Sequence, residues 1–294
     1  SISYPIVTGL LKEELGFKGL IISDAMEMKG VIKHFKDGEA DVMGILAGND
    51  ILELTQNSDR AVKLVRRAVR SGRISMDQID QSVRKILMAK YYAGLNVNDT
   101  LNTQNVAAEV NRPESTALVQ QLADASMTLV QGREFIKTLS KEKRTVIISV
   151  GVPTVTTFQK QLGAHYKNSV FYSLDKNANA NTIAKVMKEL NMFDQVIVGI
   201  HDSRTRPGNG MVLSADLKMF LKNMALKNTA FALFANPYNL TQWSGLEKSK
   251  AFLIAYQKED FMQKAAAAVF TNTLMASGRL PVTVNTFFPY GAGH

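Results

Sequence analysis

The sequence predicts an α/β fold built in two consecutive parts. Short apolar segments, each long enough for one buried strand, alternate with amphipathic segments along almost the whole chain, which is the pattern of parallel strands joined by helical crossovers. The alternation is interrupted at residues 96–113, where Asn and Thr are frequent and periodic apolar positions are rare. A chain of 294 residues is long enough for two domains. We therefore expect domains at residues 1–95 and 114–294, joined by a linker.

The composition is that of a globular protein, with 46% hydrophobic and 21% charged residues. No apolar run approaches the roughly 18 residues that a membrane-spanning helix needs, so no membrane span is expected. The net charge of +9 admits an anionic partner such as a cell-wall polymer. The basic residues, for example those in Ala61–Arg73, are however typical of a solvated helix face, without interleaved aromatic residues, and nucleic acid is not an expected partner. The absence of cysteine excludes disulfides and thiol chemistry.

The first part contains two predicted strands and four predicted helices. In chain order they are the helix Pro5–Leu15, the strand Leu20–Ser23, the helix Glu39–Leu46, the strand Asn49–Leu54, and the helices Ser58–Ser71 and Ser75–Tyr92. The first strand is continuously apolar, which is typical of a buried parallel sheet. Ser75 and Gln78 have the spacing of a capping box, which marks the beginning of the last helix.

The second part repeats the alternation. After a helix that leads into a strand in "ALVQQLADASMTLV", the predicted strands are Val146–Val150, Val170–Leu174, Val196–Ile200, Ala230–Phe234 and Ala251–Ala255. The predicted helices between and after them are Thr157–Leu162, Ala180–Leu190, Leu213–Ala225 and Phe261–Ala276. We expect a largely parallel sheet of at least five strands with helices on both faces, that is, an α/β/α sandwich.

One carboxylate, Asp24, stands directly after the first apolar strand. The carboxyl ends of parallel strands are where barrels and open α/β sheets place functional side chains. Taken alone, the residue has four possible roles: a nucleophile in glycosidic cleavage, a phosphoacceptor, a metal ligand, or the N-cap of the turn that follows.

The segment around Asp24, "GFKGLIISDAMEMKGV", resembles the nucleophile motif of glycoside hydrolase family 3. The form Asp-Ala-Met-x-Met is similar to the β-N-acetylhexosaminidase branch, since Ala25 stands where the β-glucosidase branch usually has Trp. Further segments resemble the family on both sides of the motif. They are "YPIVTGLLKEELGF", "EADVMGILAGNDILEL", "SVRKILMAKYYAGL" and, more loosely, "FALFANPYNL" and "SGRLPVTV". The resemblance thus extends over essentially the whole chain.

The resemblance implies a fold and a chemistry. Residues 1–95 would be the last two strand–helix units of a (β/α)8 TIM barrel, and residues 114–294 the C-terminal sandwich of two-domain members. Asp24 would be the catalytic nucleophile of a retaining glycosidase acting on β-linked N-acetylglucosamine or related amino-sugar glycosides, with a carbohydrate as its partner. Met28 is a candidate for substrate contact, although methionines at this spacing more often belong to a core. No cofactor and no metal is expected.

A complete (β/α)8 barrel takes about 250 residues, and only about 95 precede the predicted linker. In the hexosaminidase branch the resemblance places the general acid/base, a His paired with an Asp, in units that precede the nucleophile. None of the four histidines matches it: His34, His165, His201 and His294. We therefore expect a C-terminal portion of a longer enzyme, inactive alone, whose barrel is completed by the same polypeptide or another chain. A non-catalytic interaction or scaffold module stays open.

A second polar loop, His201–Gly210, follows a predicted strand of the second part. Arg204 and Arg206 are suited to gripping an anion there, while a plain surface loop is the favoured interpretation. The sequence contains no phosphate loop, dinucleotide fingerprint, His-Glu-x-x-His motif or Gly-x-Ser-x-Gly elbow.

Overall fold

The chain divides into two compact units, residues 1–103 and residues 104–294. The computed structural model describes residues 1–35, 38–97, 103–204 and 210–293. Within the range predicted as a linker, residues 98–102 lie outside the described part. The rest of that range contains a helix that the sequence pattern does not predict, α5 (Val106–Val110).

The first unit consists of a two-stranded parallel sheet with four longer helices. Its elements are α1 (Pro5–Glu14, with π-helical hydrogen bonding), β1 (Ile22–Ala25), α2 (Glu39–Ala47), β2 (Ile51–Glu53), α3 (Ser58–Arg70) and α4 (Met76–Tyr92). The helices agree with the prediction to within one or two residues. The first strand begins and ends two residues later than predicted, so that Asp24 lies inside β1 rather than behind it.

The helix beginnings in this unit follow from local side-chain hydrogen bonds. Asn57 and Ser75 cap α3 and α4 by accepting hydrogen bonds from the third backbone N–H that follows each of them. The predicted capping box at Ser75 forms only in part. The Gln78 side chain donates to the carbonyl of Ile45, 2.6 Å away, and so joins α4 to α2.

Small apolar clusters hold the first unit together. Val7, Ile21 and Ala47 pack α1 against the segment that precedes β1 and against the end of α2. Val42, Ala68 and Ile74 join α2 to α3. In contrast, α4 has no buried residue, although all of its positions are described. Apolar side chains of α4, among them Val83, Leu87 and Met88, are therefore exposed on this unit.

The second unit is built on a six-stranded mixed sheet. Its elements are α6 (Pro113–Ser126), β3 (Thr128–Gln131), α7 (Arg133–Lys137), β4 (Thr145–Gly151), α8 (Thr157–His165), β5 (Ser169–Asp175), α9 (Ala180–Glu189), β6 (Gln195–His201), α10 (Ala215–Ala225), β7 (Thr229–Phe234), β8 (Ala251–Ile254) and α11 (Asp260–Phe270). The strand order is β3-β8-β7-β6-β4-β5. Only β3 runs antiparallel to its neighbour, β8, whereas the other four strand pairs are parallel.

Two apolar clusters lie on opposite faces of this sheet. Alternate side chains of each strand point to opposite faces, so Val146 and Ile148 belong to one cluster and Ile147 to the other. Helices α9 and α10 cover the first face, while α6, α8 and α11 cover the second. The α/β fold predicted from the alternating pattern is confirmed, with a mixed sheet.

The second cluster contains an unusual polar residue, His201, at the end of β6. Its side chain is 2% exposed, and its ring stacks on Phe234 with centroids 4.4 Å apart. Its Nε2 atom has no hydrogen-bond partner among the described residues. Burial lowers the pKa of His201 to about 3, because a charged imidazolium would lose its hydration without gaining a counter-ion. His201 is therefore neutral and serves as a core residue.

The buried His201 predicts acid sensitivity of the second unit. The unfolded chain binds a proton near the ordinary pKa of 6.5, whereas the folded chain binds it only near 3. The free energy of unfolding therefore falls as the pH decreases between these values, by at most about 1.4 kcal/mol per pH unit. We expect His201→Phe to remove this part of the slope in urea unfolding followed by fluorescence of the single, buried Trp243.

The matched control is His165→Phe, which changes a half-buried histidine of the same unit. This variant keeps His201 and should therefore keep the part of the pH dependence of stability that His201 causes. An identical slope in wild type and His201→Phe would contradict the assignment of the effect to His201.

Candidate active site

Asp24 lies on the exposed face of the sheet in the first unit. Along β1, exposure alternates: Ile22 and Asp24 point outward, and Ser23 between them is buried. The Ser23 hydroxyl accepts a hydrogen bond from the backbone N–H of Glu53, 2.9 Å away, which ties β1 to β2. The register of the pair thus fixes on which face the carboxylate stands.

Few protein contacts engage the Asp24 carboxylate. Its Oδ1 accepts a hydrogen bond of 2.8 Å from the backbone N–H of Ala25, and its own backbone N–H donates to the Ser1 hydroxyl. The helical turn that follows, Lys29–Ile32, has Met28 at its N-cap position. Asp24 sits four residues before that position, within a strand, so the interpretation of Asp24 as a helix cap is wrong.

The two methionines after the strand have different environments. Met26 is 2% exposed, and a side-chain atom on Gly44 would meet its Cε, so Met26 packs closely against α2. Met28, the predicted substrate contact, is 42% exposed. Met26 is therefore a packing residue, while Met28 is available at the surface, and its contact with a substrate stays a prediction.

A buried carboxylate, Asp50, organises the residues around β1. Its Oδ2 accepts hydrogen bonds from the backbone N–H of Ile21 at 2.9 Å and from Lys85 Nζ at 3.1 Å. Its Oδ1 accepts a hydrogen bond from the Ser82 hydroxyl at 2.7 Å. Lys85 also donates to the carbonyl of Gly19. One side chain thus joins the segment before β1, the segment before β2 and the middle of α4.

The electrostatics of Asp50 follow from these contacts. Burial alone raises the pKa of the carboxyl group. The hydrogen bonds from Ile21, Ser82 and Lys85, with the positive charge of Lys85, outweigh burial and hold the pKa below its ordinary value. Asp50 is therefore ionised at neutral pH. We did not predict this role from the sequence, although an Asp at the beginning of the apolar strand "NDILEL" is itself a signal of a paired buried charge.

None of the histidines can be assigned as the general acid/base that the family resemblance implies. His34 is exposed and follows the turn after Met28, and His165 and His201 belong to the second unit. His201 is held neutral in the core, and His294 lies outside the described residues. The chain therefore offers a candidate nucleophile without a matched proton donor among its described residues.

The predicted anion-binding loop of the second unit is only partly described, since Arg206 falls in residues 205–209, outside the described part. Arg204 pairs with Asp202 in a bidentate arrangement, with Nε to Oδ1 at 2.8 Å and Nη2 to Oδ2 at 2.7 Å. The Arg204 guanidinium group thus forms an ion pair with a carboxylate of the same chain.

In the part of the chain that the structure describes, no group of three or more His, Cys, Asp or Glu side chains is arranged to hold a metal ion. Within the same residues, no helix combines the length and the apolar character needed to cross a bilayer.

Comparison with known proteins shows a family similarity in the first unit. Residues 1–89, which include Asp24 and the Asp50 network, match the family profile "Glycosyl hydrolase family 3 N terminal domain". Residues 1–89 are thus similar to glycoside hydrolase family 3. The family resemblance expected from the Asp-Ala-Met-x-Met motif is therefore confirmed.

Several curated proteins are similar to the chain over most of its length. A "Beta-N-acetylglucosaminidase/beta-glucosidase" of Cellulomonas fimi is 24% identical over 271 residues, covering 80% of the chain and 44% of the relative. "Beta-hexosaminidase A" of Pseudoalteromonas piscicida is 23% identical over 319 residues, covering 97% of the chain and 53% of the relative. The chain thus spans about half the length of these curated relatives.

A solved structure is also similar to the chain over most of its length. A family 3 β-N-acetylglucosaminidase from Paenibacillus sp. str. FPU-7 superposes with a TM-score of 0.72 at 25% sequence identity. The superposition covers 97% of this chain and 55% of that one. The fold of the chain is accordingly similar to that of a β-N-acetylglucosaminidase of known structure.

The Asp50 network predicts a large loss of local stability in Asp50→Asn. The amide keeps the shape of the side chain but leaves Lys85 without its counter-charge, so we expect a cost of about 1–3 kcal/mol. Because the pKa of folded Asp50 is lowered, its contribution is present above the ordinary carboxyl pKa and is lost as the pH falls below it. Amide hydrogen exchange in β1 and β2 measures the change.

A matched control is available in the same unit. Glu39 pairs with Arg73 on the surface, where both side chains are largely exposed. Glu39→Gln should change hydrogen exchange in β1 and β2 much less than Asp50→Asn does, because water screens exposed ion pairs. Equal effects of Asp50→Asn and Glu39→Gln would show that Asp50 does not organise the unit.

Proposed function

We propose that this chain is part of a retaining glycoside hydrolase in which Asp24 is the nucleophile. One observation carries the proposal: within the segment that matches family 3, Asp24 stands on the exposed face of β1 and is not engaged in capping a helix. A carboxylate that must attack a sugar needs this kind of access, and it must stay ionised.

The proposed reaction has two steps. In the first, a carboxylate oxygen of Asp24 forms a bond to the anomeric carbon while the bond to the leaving oxygen breaks, and a general acid gives that oxygen a proton. In the second, the general acid has become a base and takes a proton from water, whose oxygen displaces Asp24 and releases the sugar. In this scheme the proton donor stands about 5 Å from the nucleophile.

The proposed substrate class is a terminal β-linked N-acetylglucosamine or a related amino-sugar glycoside, with cell-wall turnover as a role. Two observations support it. Small Ala25 follows the nucleophile, where the glucosidase branch of the family resemblance has a bulky Trp. In addition, relatives that cover most of the chain carry the names β-N-acetylglucosaminidase and β-hexosaminidase. Met28 is proposed to contact the sugar.

The proposed architecture is the end of a (β/α)8 barrel at residues 1–95, followed by an α/β/α sandwich domain at residues 114–294. Support for the barrel comes from the surfaces of the first unit. An apolar groove of 720 Å³ lies along β2 and α3, lined among others by Leu54, Val62 and Val65, and Leu54 is 57% exposed. Parallel sheets are stable when both faces are covered and their edges paired. We propose that the rest of the barrel, from the same polypeptide or another chain, covers this groove.

A non-catalytic interaction or scaffold module is the second candidate. It is favoured by one observation, that no histidine of the described residues matches the acid/base of the hexosaminidase branch. An assay of the complete protein with an aryl N-acetylglucosaminide and an aryl glucoside separates the two candidates, since a scaffold releases neither aglycone.

In the complete enzyme, Asp24→Asn should reduce kcat by several orders of magnitude, because an amide cannot form the glycosyl ester. In Asp24→Ala, azide should enter the vacated space and restore part of the activity, giving a glycosyl azide of inverted configuration. Release of the aryl group and NMR of the product measure both effects. Asp59→Asn, an exposed carboxylate on α3, is the matched control and should keep full activity.

The 294-residue chain alone should cleave an aryl N-acetylglucosaminide at least about 10²-fold more slowly than the complete enzyme, because general acid assistance contributes about 10²–10⁴-fold. Mixing the chain with the remaining barrel segment should raise the rate. Enzyme-like turnover by the purified chain alone would overturn the proposal that its proton donor lies elsewhere.

A further inference from the structure

A local excess of positive charge lies on and just after α3 in the first unit. Between Ser58 and Ser75 the sequence has six basic residues and a single acidic one, Asp59. In the rest of residues 1–103, eight basic residues stand against twelve acidic ones. The cations of α3 are therefore concentrated in a unit whose remainder is acidic, and the positive net charge of the chain does not by itself account for them.

Four of these cations form one continuous stripe along the helix. Residues three and four apart are neighbours on the surface of a helix, and the four follow one another at these spacings. They lie on the side of α3 away from the buried Ala61 and Ala68, and all four are exposed. The members of this basic stripe are Lys63, Arg66, Arg67 and Arg70.

The fold of the first unit does not use the basic stripe. None of its four side chains forms a hydrogen bond or an ion pair with any residue that the structure describes. Like charges at these spacings repel one another and destabilise a helix. The negative end of the helix dipole favours Arg67 and Arg70 in the last turn, but it does not account for Lys63 and Arg66. The helix thus carries a self-repelling surface that points to a partner of opposite charge.

The composition of α3 favours a partner that is held by charge rather than by apolar contacts. Single-stranded nucleic acids stack their bases on aromatic rings, and α3 contains no aromatic residue. A helix that lies in a membrane interface inserts its apolar face, whereas that face of α3 packs on α2 through Ala68 and Val42. Protein partners place aromatic or other apolar anchors at the centre of an interface, and the basic stripe consists of cations.

We propose that the basic stripe binds a linear polyanion with phosphodiester groups, of the kind that a poly(glycerol phosphate) chain presents. Three of the four cations are arginines, whose planar guanidinium group donates two parallel hydrogen bonds to phosphate oxygens. Successive turns of a helix are about 5.4 Å apart, which suits a flexible chain with one charge in each short repeat. The basic stripe contains no residue proposed for hydrolysis, and its role does not rest on that activity.

The experiment measures the binding of labelled poly(glycerol phosphate) to the 294-residue chain by fluorescence anisotropy over a series of salt concentrations. Each neutralised charge of a single-stranded polyanion adds about −0.7 to the slope of log affinity against log salt, so four contacts give about −3. In the double variant Lys63→Gln, Arg67→Gln the slope should fall to about half, and the affinity at low salt should fall about tenfold or more.

The matched control removes two exposed cations of the same unit that lie outside the basic stripe, Arg84 and Lys90 of α4. The double variant Arg84→Gln, Lys90→Gln lowers the net charge equally and should leave the affinity and the slope unchanged. Equal weakening by both double variants would show that net charge alone matters and would overturn the proposal.

Thermal unfolding followed by circular dichroism tests the structural alternative. The double variant Lys63→Gln, Arg67→Gln should unfold at the wild-type temperature or above it, because it removes repulsion between neighbours on the helix. A clearly lower midpoint would show that the two cations serve the fold and would count against a binding role.

Three further probes test the class of partner. Polyglutamate offers carboxylates, vesicles of phosphatidylglycerol offer phosphodiesters on a membrane, and duplex DNA offers them on a rigid rod. Each should bind more weakly than poly(glycerol phosphate) at the same salt and the same concentration of charge. Tighter binding of any of the three, or no salt-dependent binding of poly(glycerol phosphate), would refute the proposal.

Discussion

The buried carboxylate of Asp50 is the interaction on which the first unit depends. Strands β1 and β2 are four and three residues long, and their backbone pairing alone is too short to hold a functional side chain in place. Asp50 fastens the beginning of both strands to α4 through a backbone amide, a hydroxyl and an ammonium group. A charge is buried at low cost only when it is satisfied so fully. The same contacts therefore supply both the stability and the specificity of the arrangement.

The exposure of Asp24 is a consequence of that anchoring. Ile21, whose backbone N–H is bound by Asp50, lies three residues before Asp24 along an extended segment. Side chains alternate between the faces of a sheet, so a shift of one residue would bury the carboxylate and expose Ser23. The hydrogen bond from Glu53 to the Ser23 hydroxyl fixes the same register from the other strand. The hydrogen bonds of Asp50 with Ile21 and of Ser23 with Glu53 thus fix the register that places Asp24 on the exposed face.

The sequence predicts the elements of the fold well, because they are local, and a local motif likewise singles out a candidate nucleophile. Periodicity locates β4 to β8 to within one residue, and the Asp-Ala-Met-x-Met motif singles out Asp24. Contacts between residues far apart in the sequence cannot be predicted from local periodicity or from a local motif. Asp50 meets Ser82 and Lys85 more than thirty residues away, which no local period reveals. The antiparallel direction of β3 and the strained backbone of Tyr256 are likewise set by tertiary packing.

The weak engagement of Asp24 has an evolutionary consequence. Its carboxylate is exposed and accepts a hydrogen bond only from the next residue in the chain, among the bonds that the structure describes. Replacement of such a surface side chain changes folding stability by only a few tenths of a kcal/mol. Selection for a folded protein alone would therefore not retain an acidic residue at this position. Copies of the gene released from selection for a role of this carboxylate would be able to lose it while keeping the fold.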